Sequence, residues 1–474
     1  MGSIASNHPL VLLFPFMAKG HTIPLLQFAR FLLRRDLTVT VITTPANRPF
    51  VVESLRDTTA SIVDIPFPDE IPDIPSGIES TDKLPSTSLF HKFAAATARM
   101  QAHFERLLEA LPRVSFMVTD GFLWWTLESA SKFGVPRMVF YGMSNYAVAL
   151  RREATKSGIL RGPQHEDELV TLTRFPWIRL SKNDFDSVFK SPEPQSLTFE
   201  FQMNVVSATA KSYGMIVNSF YELEPVFFDY LNEESAPKPW CVGPFCANIV
   251  AEPELQPRKP GTWIGWLDQK VEEKCSVLYV AFGSQAEIST EKIREIAIGL
   301  ERSRVNFLWV IRKKEWGLPD GFIERVGNRG MVVREWVDQR EILMHEGVKG
   351  FLSHCGWNSV LESICAGVPI LAWPLMAEQF LNARMVEEEI KVGFRVETCN
   401  GSVRGFVKWE GLTKLARELM EGDSDKGKQV RNKVKQLAAV ANKAVQDGGS
   451  SYQALDLLIN QICNCRYNEE RGRR

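Results

Sequence analysis

Two histidines in this chain stand where a side chain of their type can do chemistry. His354 closes the strand-like run GFLSH, and Cys355-Gly356-Trp357-Asn358-Ser359 leads from it into a helix starting at Ser359. A helix start offers N–H groups without intrahelical partners and the positive end of a dipole, a setting suited to a diphosphate. Gly356 lets the backbone approach closely, and His354, Asn358 and Ser359 are in place to donate hydrogen bonds. His21 follows the first strand-like run in FMAKGH, where Gly20 permits a tight loop and lets the imidazole point inward. A histidine with its ordinary pKa near about 6.5 can take a proton from a hydroxyl as general base. Asp120, ending the run FMVTD, can accept the other ring N–H and stabilise the imidazolium that forms. Each feature has an ordinary alternative. A histidine after glycine is often a helix-start residue, an aspartate after a strand is often a turn or N-cap residue, and Ser359-x-x-Glu362 fits a capping box.

The elements that must hold these residues fall into two alternating strand and helix series, the pattern of parallel α/β sheets. The first opens with Leu10 to Phe16, continues through a helix marked by Leu25, Leu26, Ala29, Leu32 and Leu33, and returns in Thr38 to Thr44. Phe116 to Asp120, Arg137 to Tyr141 and Gly214 to Asn218 extend that sheet. Pro66 to Thr87 and Phe175 to Gln195 read as long irregular binding loops. The second series runs through Val277 to Ser284, a helix capped by Ser289, Phe307 to Ile311, Met331 to Val333, Gly350 to His354 and Ile370 to Trp373. A chain of 474 residues exceeds a single core, so two domains are expected: 1–245, a linker at 246–262, and 263–450. Residues 451–474 then form a C-terminal helix packing back toward the first domain, with a disordered RYNEERGRR tail.

Composition removes several function classes. The formal net charge of −1 provides no basic field for nucleic acid or an anionic membrane surface. Eight scattered cysteines without a CxxC pair read as reduced thiols in a cytoplasmic protein. The apolar run Pro9 to Met17 lacks the flanks of a signal peptide and is too short to span a bilayer. The opening MGSIAS fits a loose myristoylation pattern, with no basic cluster to supply a second anchor. No glycine fingerprint or Walker sequence is present, which takes support from NAD and ATP.

The stretch from Trp336 to Gln379, WVDQREILMHEGVKGFLSHCGWNSVLESICAGVPILAWPLMAEQ, resembles the 44-residue signature box of plant secondary-product UDP-dependent glycosyltransferases. FPFMAKGH, VTD, NSF, VGP and FGS carry the resemblance over nearly the whole chain. It implies the GT-B fold, an α/β architecture of two facing Rossmann-like domains with parallel sheets and a cleft between them. By that resemblance Trp336, with Val337, holds uracil, with Gln339 nearby. Glu362 grips the ribose hydroxyls, His354, Gly356, Asn358, Ser359 and Ser284 hold the diphosphate, and Trp357, Trp373, Glu378 and Gln379 shape the sugar site. His21 and Asp120 become the catalytic pair, and an amide at Gln379 implies glucose over galactose. A carboxylate beside an amide can also read two vicinal hydroxyls by paired hydrogen bonds.

The expected reaction is therefore an inverting, metal-independent transfer of glucose from UDP-glucose to a small lipophilic acceptor, phenolic or terpenoid, by a monomer. UDP-sugar is a co-substrate, and neither a resident cofactor nor a metal is expected. The triplets Asp184-Phe185-Asp186 and Asp423-Ser424-Asp425 carry the metal-dependent alternative. Other readings are a silent UDP-sugar binder, the same class with another UDP-sugar, and an oxidoreductase. Phe16, Met17, Phe122, Trp124, Trp125, Tyr141 and Met143 are candidate acceptor-pocket residues, some of them core.

Overall fold

Parallel strands buried on both faces read as nearly continuous apolar runs, and this chain builds two sheets of that kind. The computed structural model describes residues 8–186, 195–233, 237–247, 261–285, 287–311, 317–421 and 424–471. The MGSIAS pattern, most of the expected linker and Asp423 lie outside the described residues. In chain order the strands are β1 (Leu10–Phe14), β2 (Thr38–Thr43), β3 (Ser61–Asp64), β4 (Val114–Asp120), β5 (Arg137–Phe140), β6 (Val170–Leu172), β7 (Phe175–Leu180) and β8 (Gly214–Val217). They continue with β9 (Pro239–Cys241), β10 (Val277–Ala281), β11 (Asn306–Val310), β12 (Gly330–Val333), β13 (Val348–Ser353), β14 (Ile370–Ala372) and β15 (Gly393–Arg395).

The described chain clusters into two compact units, one from residues 1–145, 192–245 and 444–474, the other from 146–191 and 246–443. The first holds a seven-stranded parallel sheet in the order β3-β2-β1-β4-β5-β8-β9. All five residues of β1 are buried, and the helix Lys19–Leu33 covers the sheet with Leu25, Leu26, Phe28, Ala29 and Leu32. Leu455, Leu458 and Ile462 of the C-terminal helix Ser450–Arg471 join the same core. That helix runs to Arg471, so most of the tail expected to be disordered is helical in its backbone.

The second unit holds a six-stranded parallel sheet in the order β12-β11-β10-β13-β14-β15. Residues 146–191, assigned by sequence to the first domain, cluster here because polar side chains fasten them. Asp184 takes two nitrogens of Arg384 at 3.1–3.2 Å, Asn183 reaches Ser402 at 3.3 Å, and Arg404 donates to the Asn183 carbonyl at 2.9 Å. Part of the expected irregular loop from Phe175 is the strand β7, paired antiparallel with β6. Alternation there is weak, since Pro176, Trp177 and Arg179 interrupt the apolar pattern.

Candidate functional site

His21 lies in the first turn of the helix Lys19–Leu33, not in a loop. Gly20 is helical with open space around it, so its lack of a side chain does not serve a turn. The helix begins against an extended Ala18, and the Thr22 hydroxyl donates to the Phe16 carbonyl at 3.1 Å, which pins the first turn to the end of β1. His21 Nδ1 is 2.7 Å from Asp120 Oδ2, and the Asp120 carboxylate is fully buried. Its other oxygen accepts the Phe122 amide at 3.0 Å, so both oxygens are held. A carboxylate can only accept here, so Nδ1 carries the proton of this hydrogen bond.

Aromatic rings frame this imidazole. Phe16 packs edge-on at 5.7 Å and Phe122 tilts over it at 5.1 Å. Phe90 and Phe201, which the sequence reading missed, pack on Phe122 at 5.5 and 5.8 Å. They come from the helices Phe90–Ala96 and Leu197–Ala210, and no spacing in the chain links them to His21. Among the expected pocket residues, Trp125 is core, packed on Phe14 and Phe104, with its indole N–H on Thr97 at 3.2 Å. Gly121, directly after Asp120, has a use for its missing side chain, since a Cβ there would lie 2.0 Å from the Tyr141 ring.

In the second unit the strand register sets Ala281, Ser353 and Ala372 side by side. Ser284, His354 and Trp373 therefore emerge beyond the same sheet edge. The helix after His354 spans Trp357–Cys365 with Gly356 as its N-cap and no side-chain cap hydrogen bond. It begins two residues earlier than the sequence suggested, and Ser359 is inside the first turn, so the capping-box reading of Ser359 and Glu362 falls. Their side chains instead meet Gln339, whose amide nitrogen lies 2.8 Å from Ser359 Oγ and 2.7 Å from Glu362 Oε2. Gln339 in turn opens the helix Gln339–Met344, capped by Asp338.

His354 Nδ1 is buried without a hydrogen-bond partner among the described residues. An unmatched buried nitrogen is costly, so it marks a place where a ligand group can be answered. Burial lowers the His354 pKa to about 4 and raises that of Glu362 to about 7. Added Cβ atoms at Gly283 and Gly356 would lie 2.7 and 2.6 Å from His354 Nε2, so the ring fits only between glycines. Cys355 takes a left-handed backbone (φ 62°) between His354 and Gly356, and Asn382 donates to its carbonyl at 3.0 Å.

Gln379 is nearly buried, and its side-chain oxygen accepts the amides of Leu375 and Met376, each at 3.0 Å. Backbone N–H groups require an acceptor, which fixes the amide orientation and leaves the NH₂ end for other contacts. Glu378 precedes it as the N-cap residue, and Trp373 is buried against Phe282 at 6.1 Å. Trp336 exposes 46% of its surface beside a buried Val337. The Asp184 and Asp186 pair is occupied by arginines, Asp184 by Arg384 and Asp186 by Arg151 at 2.7 Å. Among the described residues no helix is long and apolar enough to cross a membrane.

Comparison with known proteins identifies the family. Residues 243–401 match the family described as UDP-glucoronosyl and UDP-glucosyl transferase. UDP-glycosyltransferase 90A1 of Arabidopsis thaliana is 52% identical, covering 98% of each chain. Anthocyanin 3'-O-beta-glucosyltransferase of Gentiana triflora is 33% identical over 97% of this chain and 99% of its own. Among solved structures, Glycyrrhiza uralensis UGT73P12, complexed with glycyrrhetinic acid 3-O-monoglucuronide, superposes with a TM-score of 0.87 at 30% identity, covering 98% of each chain. With two parallel Rossmann-like sheets of the GT-B type and relatives this similar over its whole length, the chain belongs to the plant UDP-glycosyltransferases, enzymes that transfer a sugar from a UDP-sugar to a small acceptor.

Proposed function

We propose that the chain transfers glucose from UDP-glucose to a hydroxyl of a small lipophilic acceptor, phenolic or terpenoid, with His21 as general base. The observation that carries this is the 2.7 Å pairing of His21 Nδ1 with a buried Asp120, which orients an imidazole framed by Phe16 and Phe122. His21 takes the proton from the acceptor hydroxyl, and that oxygen displaces UDP from the anomeric carbon in one inverting step. Asp120 holds the imidazole in register and offsets its new charge. His354, Ser359 and the start of the helix Trp357–Cys365 take the charge that develops on the diphosphate. Trp336, Gln339 and Glu362 hold the uridine, and Trp373, Glu378 and Gln379 the sugar. The anthocyanin glucosyltransferase name of one relative supports a flat phenolic acceptor and glucose. The seven described cysteines are free thiols, which supports a reducing, cytoplasmic setting.

Incubation with radiolabelled UDP-glucose and a panel of phenolics and terpenoids, with and without excess EDTA, tests the reading. Label should move to at least one hydroxylated acceptor, and EDTA should leave the rate unchanged. Activity lost in EDTA and restored by magnesium or manganese would overturn the metal-independent mechanism.

A further inference from the structure

Arg137, on β5 directly beside β4, is 2% exposed, and among the described residues no carboxylate forms an ion pair with it. Buried arginines ordinarily answer an acid directly. This one is met by neutral oxygens. Its Nε lies 2.8 Å from the Thr119 hydroxyl and 3.0 Å from that of Thr126, one terminal nitrogen reaches Ser212 Oγ at 2.6 Å, and the other donates to the Asp120 carbonyl at 3.4 Å. Those hydroxyls are themselves oriented, since Thr126 donates to the Leu123 carbonyl at 2.6 Å and Ser212 to that of Ala208 at 2.9 Å.

The titratable groups facing the guanidinium are Asp120 and Tyr141. Tyr141 is neutral, its pKa pushed up to about 12 by burial, while its hydroxyl is bonded to Thr209. Burial lowers the Arg137 pKa only to about 10, so the charge persists at neutral pH. Asp120 is faced by His21 from the helix Lys19–Leu33 and by Arg137 and Tyr141 from the β5 side. Among the described residues, the full negative charge facing this buried cation is therefore the carboxylate that orients His21.

We propose that Arg137 is a positioning residue for the transfer reaction, holding the end of β4 by the Asp120 carbonyl and keeping a positive charge behind the Asp120–His21 pair. The inference rests on the reading of His21 as general base. A fixed positive charge nearby disfavours a second positive charge on the imidazole before the acceptor arrives. Removing it makes the imidazole easier to protonate, so the acid limb of the rate profile moves to higher pH.

The test compares a neutral and a charged replacement in the full-length chain. Arg137→Gln should lower kcat at pH 7 on the order of tenfold and move the acid limb of kcat/KM up by about 0.5–1 pH unit. Arg137→Lys should keep the limb at its wild-type position while losing part of kcat through poorer geometry. UDP affinity by calorimetry should be unchanged in both. Arg137→Met supplies the neutral comparison if the glutamine variant does not fold. Equal losses in the lysine and neutral variants, with no movement of the limb, would reduce Arg137 to packing and overturn the proposal. A wild-type kcat in Asp120→Asn alone would instead sink the general-base reading, so the two failures are separable.

Discussion

The two halves of the proposed machinery are finished to different degrees. Around His21 the polar valences are matched internally: both Asp120 oxygens are taken, and one imidazole nitrogen is committed to the carboxylate. Around His354 they are left open among the described residues, with an unpartnered buried Nδ1, a helix start without a side-chain cap and a Gln379 amide committed at its oxygen. The difference follows from the task. A base must hold one orientation while it gains charge, so the protein supplies its partner. A binding wall must keep donors for the ligand, so the protein tolerates unmet hydrogen bonds until the ligand answers them.

The largest effect that can break this contrast is expected from the base. His21→Ala should lower kcat by about 10²–10⁴-fold, and Asp120→Asn by less, with UDP affinity by calorimetry nearly unchanged in each. A His21→Ala enzyme that keeps most of its kcat would end the assignment, and one that loses UDP affinity would blur the division between the halves.

The reverse pattern is expected on the other side. His354→Ala removes a donor to a charged group, worth about 1.5–3 kcal/mol, so UDP affinity should weaken roughly 10–150-fold. If calorimetry finds UDP bound as tightly as before, the open valence at His354 has another purpose.

Donor choice should respond next. The wild type should use UDP-glucose better than UDP-galactose, and Gln379→His should narrow that preference by about 1–2 kcal/mol, chiefly by weakening glucose transfer. The structure adds that the substitution also removes an acceptor for two backbone amides, so the loop at Leu375 and Met376 should loosen as well. A competition assay with both donors and one acceptor reads this directly, and equal use of the two donors by the wild type excludes Gln379 as selector.

The smallest effect expected is on stability against pH. His354 with its pKa lowered to about 4 binds fewer protons folded than unfolded between about 4 and 6.5. Stability from this group is present above about 6.5 and is lost as pH falls through that window. Glu362, raised to about 7, works oppositely, favouring the fold below about 4.5 and losing that contribution as pH rises toward 7. The two slopes oppose each other in wild type. Thermal melts should therefore show His354→Gln unmasking the loss of stability toward pH 7 and Glu362→Gln unmasking the loss toward acid pH. Parallel melting curves for wild type and both variants would show that these side chains are less buried than their surroundings imply.

Much of the site was legible because it is local. Trp336 to Gln379 holds a strand, a turn, a helix and a second strand in one continuous segment, and near-continuous apolar runs mark its strands. Parallel sheets then force the ends of β10, β13 and β14 together, so Ser284, His354 and Trp373 could be grouped before any coordinate was known. The apolar runs likewise identified β1, β2, β4, β5 and β8, and with them the two Rossmann-like series. Edge strands such as β3 and β15 did not stand out, and a polar-interrupted hairpin read as a loop.

What the chain could not state by itself were relations between distant residues and the geometry of helix starts. His21 and Asp120 are 99 positions apart, and only the packing of a helix against β4 turns two common residue types into a 2.7 Å pair. The start of the helix at Trp357 instead of Ser359 depends on the left-handed turn at Cys355, which no propensity of cysteine announces. Arg137 and the Phe90 and Phe201 rings were invisible as site residues, because a buried charge or ring acquires its meaning from neighbours brought in by separate elements. Sequence determined which segments become strands and helices, since apolar periodicity is a local property. Tertiary structure decided which polar atoms are answered by protein and which are left for substrate, since that depends on distances no local pattern records.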